Sequence, residues 1–307
     1  MKLYLRAELG AFLMCLALVA CAKQRVVNED SNPFATLNSP APHEVENCEL
    51  AGSAAGIVGG QTLASGNDLS SSTVLIVIKS SAGQSELCTG TLIDRNLVIT
   101  AAHCAAPGIH AAIAFTNNLV CATKAPGRVL RPVVAATAHP QYDFKTEGLL
   151  NSSRDLAVLK FEGEMPKGFR FRDLPAATVE PKKQDELVLA GFGISAENSE
   201  DSGVLRVTHA PATQLLRSFH MAGSVEEIAV PNTWLLDQLN TGVCSGDSGG
   251  PMYIKSAVGL TLIGVTSTGV NNRSTSRGLS RVCHGVSLFT DVRAHIPWLR
   301  TVITRMK

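Results

Sequence analysis

The sequence predicts an all-β antiparallel protein closed by one helix, and three observations carry that expectation. From residue 57 onward the apolar residues come in short runs, at 73–79, 89–93, 97–100, 156–161, 187–190, 205–207, 260–265 and 286–289. Gly, Ser, Asn and Pro separate them, the spacing of strands and turns in barrels or sandwiches. Only residues 295–306 follow a helical period, with Ile296, Leu299, Val302 and Ile303 on one face and Thr301 and Arg305 on the other. At 307 residues and 45% apolar, the chain is long enough for a substantial core and two packed halves. A formal net charge of +1 without a basic block argues against a nucleic-acid partner. No 20–50-residue repeat shows in the sequence.

Residues 1–20 read as a signal peptide. Lys2 and Arg6 form a positive start, blemished by Glu8, and residues 9–20 are an apolar run too short to span a bilayer. The run ends Leu18-Val19-Ala20-Cys21, which resembles the lipobox of bacterial lipoproteins. That resemblance implies a lipid on Cys21, a membrane partner and, with no acid directly after Cys21, an outer-membrane destination in a Gram-negative cell. Ala20-Cys21-Ala22 is also an A-x-A site, so ordinary cleavage after Ala22 stands beside it. Residues 21–56 are rich in Asn, Asp, Glu, Ser and Pro, a tether with little capacity to fold alone. The small residues 51–56 end it as a good protease target, and 57–307 form the remaining domain.

Three later stretches carry chemistry. Gly246-Asp247-Ser248-Gly249-Gly250-Pro251 sets a hydroxyl between an acid and two glycines. Such a turn exposes a nucleophile and lets backbone N–H groups converge on one oxyanion. Thr100-Ala101-Ala102-His103-Cys104 ends an apolar run in an imidazole, which titrates near neutrality and can shuttle the hydroxyl's proton. Asp155 stands at the entrance to the apolar run Leu156-Ala157-Val158-Leu159. The order His103, Asp155, Ser248 and these segments resemble the trypsin/chymotrypsin-like serine proteases over essentially all of 57–307. Ala138-His139-Pro140-Gln141-Tyr142-Asp143 and Ala190-Gly191-Phe192-Gly193 add to the match.

The resemblance implies two packed six-stranded antiparallel β-barrels with a C-terminal α-helix, protein or peptide substrates, and no cofactor or metal. Ser248 would be the nucleophile, His103 the base, Asp155 its buried partner, and the N–H groups of Gly246 and Ser248 the oxyanion hole. Ile57-Val58-Gly59-Gly60 resembles the family's activation site, where cutting after Gly56 would free an α-amino group on Ile57 to pair with Asp247. Family zymogens usually carry Arg or Lys before that isoleucine. Gly56 therefore points to an elastase-like activator, this chain itself included. Around the primary pocket, Gly242 falls where trypsin-like members have an aspartate. Val243, Ser267, Gly269 and Ser287 (or Gly285) line the rest, an uncharged pocket for small to medium apolar side chains. The stretch from Tyr142 to Asp155 is longer than usual, which alters the neighbouring subsites.

Eight cysteines behind an export signal indicate an oxidising compartment. Cys15 leaves with the signal. The resemblance implies the pairs Cys88–Cys104 and Cys244–Cys283, and Cys48–Cys121 remains by elimination, a bond that would keep the tether attached after cleavage. No C-x-x-C or His-rich spacing supports a metal. Two other readings stand beside an exported serine endopeptidase: a catalytically silent binding module on the same scaffold, and an esterase.

Overall fold

A computed structural model of the chain describes residues 57–63, 66–79, 84–119, 129–146, 148–238, 241–257, 259–272 and 282–307. The expectations placed on residues 1–56, among them Cys21, Cys48 and Gly56, and on Cys121 lie outside the described residues.

The described chain opens with a short strand, β1 (Gln61–Thr62), and then closes a six-stranded barrel. Its strands are β2 (Thr73–Lys79), β3 (Ser85–Asp94), β4 (Leu97–Thr100), β5 (His110–Ala114), β6 (Leu130–Ala138) and β7 (Ala157–Phe161). They pair antiparallel in the order β2-β3-β4-β7-β6-β5. In β2 the side chains alternate between two apolar surroundings. Val74, Ile76 and Ile78 enter the barrel core with Leu92, Val98 and Phe161. Leu75 faces a second cluster with Ala190, Phe192 and Leu205. Both faces are covered, so the run is continuously apolar rather than alternating.

The second body is an eight-stranded antiparallel sheet in the order β1-β9-β8-β14-β15-β16-β13-β10. Here β8 is Glu186–Gly191, β9 Arg206–Pro211, β10 Leu215–Leu216, β13 Thr233–Asp237, β14 Pro251–Ser256, β15 Gly259–Val270 and β16 Val286–Asp291. A separate hairpin joins β11 (Phe219–His220) to β12 (Glu227–Ile228). Leu187, Leu189, Met252, Ile254, Ile263 and Phe289 fill this body's core. The arrangement is that of a chymotrypsin-like fold: one closed barrel, a second sheet-rich body and one terminal helix.

That helix, α1 (Ile296–Met306), carries Pro297 in its first turn, where a missing N–H costs nothing. It buries Ile296, Leu299, Val302 and Met306 in the core cluster of the first barrel. Burying a side chain such as Leu299 or Val302 contributes about 1.5–3 kcal/mol. The helix therefore straps the end of the chain across to the first barrel. Among the described residues no helix is long and apolar enough to cross a membrane.

Candidate active site

Strand β4 is fully buried and leads through Ala101 and Ala102, both at 0% exposure, into a 3-10 turn, His103–Ala105. A disulfide between Cys88 and Cys104, 16 residues apart, ties the turn back to β3. Closing a loop of that size stabilises the fold by about 3 kcal/mol.

Asp155 lies just before β7 and is 3% exposed. Its Oδ1 accepts the main-chain N–H of His103 at 3.0 Å, and its Oδ2 lies 2.8 Å from His103 Nδ1. Ser267 on β15 donates its hydroxyl to the same Oδ2 at 2.7 Å. Since the carboxylate accepts, Nδ1 carries the proton and Nε2 is left to take one up. Burial alone would depress the pKa of His103, but the facing Asp155 carboxylate raises it above the ordinary imidazole value. For Asp155, burial works upward, and the charge and hydrogen bonds of His103 with that of Ser267 bring it below the usual carboxylate range. The His103 side chain is 36% exposed and that of Asp155 only 4%, so the pair presents its imidazole outward.

The third element is the loop Cys244–Gly250. Its internal bonds run from Asp247 N–H to Cys244 O at 3.0 Å and from Gly250 N–H to Asp247 O at 2.8 Å, while Gly249 N–H reaches Thr266 O at 2.7 Å. The N–H groups of Gly246 and Ser248 have no partner among the described residues. Gly246 sits at φ 96°, and a Cβ there would meet Gly193 Cα at 2.8 Å, so only glycine suits the position. Thr89 on β3 clamps the loop from the first barrel. Its N–H donates to Ser248 O at 2.8 Å and its hydroxyl to Gly246 O at 2.9 Å.

Asp247 is fully buried beneath this loop. Its Oδ1 accepts Gly193 N–H at 2.7 Å and its Oδ2 accepts Cys244 N–H at 2.8 Å. A Cβ on Gly193 would come within 2.6 Å of the carboxyl carbon, which explains the small residue in Gly191-Phe192-Gly193. Burial pushes the Asp247 pKa up to about 7, against the two backbone N–H bonds and the positive charge of Arg206. Ile57 is also completely buried, and Val58 bridges Gly242, whose N–H donates to Val58 O at 3.1 Å.

His103, Asp155 and Ser248 line one cavity of about 530 Å³. Val243, Ser267 and Gly269 line it as well, and Tyr142, Asp143, Phe144, Leu149 and Asn151 of the long loop form a further wall. Gly242 and Ser287 are buried and are not among the residues that line the cavity. The side chain of Gln238 packs on Gly242, where a Cβ would meet Gln238 Oε1 at 1.6 Å. Ser287 pairs with Gly269 across the β15–β16 ladder at 0% exposure. A second disulfide joins Cys244 to Cys283. Cys88, His103 and Cys104 bring potential metal-ligand atoms together, but both sulfurs are spent in their disulfide.

Two contributors escape a reading of the sequence. Ser267 reads as a pocket residue, yet its hydroxyl is committed to Asp155, 112 positions away. Thr89, 157 positions from Gly246, belongs to an ordinary strand pattern. Neither has a local signal, because each acts through a contact that only the packed fold creates.

Behind Asp155, His139 and His295 meet edge to face, with ring centroids 4.8 Å apart. Burial, with the positive charges of His295 and Arg154, lowers the His139 pKa to about 4. The folded protein thus binds this proton less readily than the unfolded chain does. The associated stability is complete above pH 6.5 and falls as pH drops through 6.5 towards 4, by about 3 kcal/mol. The stability difference between wild type and His139→Phe, read from denaturant unfolding, should therefore shift by about 3 kcal/mol between pH 7 and pH 4, the other titrating groups being common to both. An identical pH dependence in the two would contradict it.

A model of the trypsin family ("Trypsin") matches residues 57–292. Ovochymase-2 of Mus musculus is 28% identical over 70% of this chain and 36% of its own length. Serine protease SP24D of Anopheles gambiae is 26% identical over 73% of this chain and 74% of its own. Trypsin 5G1 of Aedes aegypti is 31% identical over 62% of this chain and 68% of its own.

Proposed function

The chain belongs to the trypsin family and is a serine endopeptidase, and from that premise we propose that Ser248, His103 and Asp155 carry its reaction. The observation that most supports this is the convergence in one cavity of the Ser248 hydroxyl and an imidazole held by a buried carboxylate, the hydroxyl lying on a loop whose Gly246 and Ser248 N–H groups have no partner among the described residues. Ser248 Oγ attacks the scissile carbonyl carbon while His103 Nε2 takes the hydroxyl proton. The tetrahedral oxyanion is held by the N–H groups of Gly246 and Ser248, each such donor being worth roughly 2.7–4 kcal/mol of barrier. His103 returns the proton to the leaving amine, and water then hydrolyses the acyl-enzyme by the same route. Asp155 holds the tautomer and stabilises the imidazolium.

The primary pocket is uncharged and takes small to medium apolar side chains. Val243 and Gly269 on the cavity wall support this. The chain is exported: residues 1–20 are the signal, 21–56 a tether lipidated at Cys21, and 57–307 the protease domain. The Cys48–Cys121 bond keeps tether and domain together.

Activation follows from Asp247. The carboxyl is fully buried and its pKa is pushed to about 7 although the charge of Arg206 acts on it, and among the described residues no cation pairs directly with it. Ile57 is held at φ 45°, a region that a β-branched residue avoids. Hydrolysis after Gly56 removes that constraint and supplies an ammonium to pair with Asp247.

The experiment is to assay the chain beginning at Ile57 on peptides with Ala, Val, Leu or Lys before the scissile bond, across pH. Turnover is expected after the apolar residues and not after Lys. It should fall at alkaline pH as the Ile57 ammonium, whose unperturbed pKa is about 8 and is raised by pairing, loses its proton. Turnover after Lys would sink the pocket assignment. A flat profile to about pH 11, well above the unperturbed value, would sink the Ile57–Asp247 switch.

A further inference from the structure

Asp155 must meet the N–H and Nδ1 of His103 at once, at 3.0 and 2.8 Å, so its backbone has to be fixed to a fraction of an ångström. The residues around it form no regular ladder before β7 begins at Ala157. Their carbonyls are held from elsewhere. Thr290 Oγ1 donates to Ser152 O at 2.7 Å and to Asp155 O at 3.0 Å, and His139 N–H donates to Leu156 O at 2.8 Å. The remaining anchor is a side chain just ahead of α1: His295 Nε2 lies 2.9 Å from Ser153 O. A carbonyl cannot donate, so the imidazole supplies the hydrogen.

His295 is built to stay in that position. It is 7% exposed, and His139, 9% exposed, packs edge-on against it at an interplanar angle of 76°. Trp298 also packs against His139, with ring centroids 5.0 Å apart. His139 Nδ1 accepts the Gln141 N–H at 3.3 Å, which places any remaining ring proton of the neutral form on Nε2. The charged groups acting on His295 are Arg154 and Asp291, with His139 as its titratable neighbour.

We propose that His295 is a positioning residue for the reaction, holding the Ser153 carbonyl so that Asp155 keeps both of its bonds to His103. The inference rests on the catalytic roles proposed above. It makes the junction between β16 and α1 part of the active-site frame, at a residue that touches neither substrate nor any of the three reacting side chains.

The test compares His295→Phe, which keeps a ring without the donor, with His295→Gln, whose amide can place an N–H near the same point. Both are assayed as the full mature chain on an apolar peptide substrate. His295→Phe is expected to lose about tenfold in kcat, the rate equivalent of one net hydrogen bond, with KM unchanged. Its acid limb should also move to lower pH. A loosened Asp155 raises the His103 pKa less, while Glu86, the other acid acting on His103, is untouched. His295→Gln should restore both kcat and the limb. An unchanged kcat and limb in folded His295→Phe would overturn the proposal, as would a loss in KM alone. Should His295→Phe not fold, His295→Met, unbranched and also without a donor, takes its place under the same expectations. Failure of both to fold, with His295→Gln folded, would make the bond a requirement of folding and would also overturn the proposal. Failure of the underlying functional reading is separate, because it appears in the unaltered protein as no labelling of Ser248 by a fluorophosphonate.

Discussion

Replacing Ser248 with Ala is expected to lower kcat by about a millionfold, and His103→Ala should cost nearly as much. The double variant should lose little more. The reason lies in how the two groups share one step: without the hydroxyl there is nothing to deprotonate, and without the imidazole the hydroxyl stays a weak nucleophile. The N–H groups of Gly246 and Ser248 belong to the backbone and survive both substitutions. Their orientation depends on Thr89, Asp247 and the turn at Gly246 rather than on either side chain. Residual activity of about 10³–10⁴ over water is therefore expected. Additive losses in the double variant would contradict a shared step.

Asp155→Asn should lower kcat by about ten-thousandfold while leaving the fold intact. With its oxygen in the Oδ1 position, an amide can still accept from the His103 N–H, while its NH₂ in the Oδ2 position donates to the Ser267 hydroxyl oxygen. Its NH₂ group, however, would face Nδ1 and require that nitrogen to accept. The imidazole would then carry its proton on Nε2, where it must instead take one from Ser248. The raised pKa of His103 should also fall, because the facing negative charge is gone. The acid limb of kcat/KM then moves to lower pH than in the wild type. A variant with a small loss in kcat and an unmoved limb would show that Asp155 is not the partner that sets the tautomer. Thermal unfolding of the variant separates this from simple destabilisation, since a buried neutral amide in place of a buried carboxylate removes no packing volume.

Much of this arrangement can be read from the sequence, for physical reasons that differ between elements. Strand β2 coincides with its predicted limits because 73–79 is a β-branched apolar run covered on both faces. The helix is legible because its apolar residues recur at a helical period, although Met306 joins the buried face more fully than Ile303. Strands β5 and β6 escape the reading. The first is largely alanine and the second has no fully buried residue and contains Pro132, so neither gives a strong apolar pattern. The disulfides Cys88–Cys104 and Cys244–Cys283 form as the family resemblance implies.

Within the site, the segments around His103, Asp155 and Ser248 are visible locally because each needs particular small or apolar neighbours in the chain. Ser267, Thr89, Thr290 and His295 are not visible in that way. Each reaches its partner across more than a hundred residues, and an isolated serine, threonine or histidine says nothing about which carbonyl or carboxylate it will meet. The pocket residues divide along the same line. Val243 and Gly269 reach the cavity, whereas Gly242 is covered by Gln238, a contact that no spacing announces.

The most direct test of the central claim is the intact mass of the natively matured protein, with and without a fluorophosphonate. A chain beginning at Ile57 that gains one adduct, absent in Ser248→Ala, is the predicted result. A correctly cut, disulfide-bonded chain that gains no adduct would contradict it.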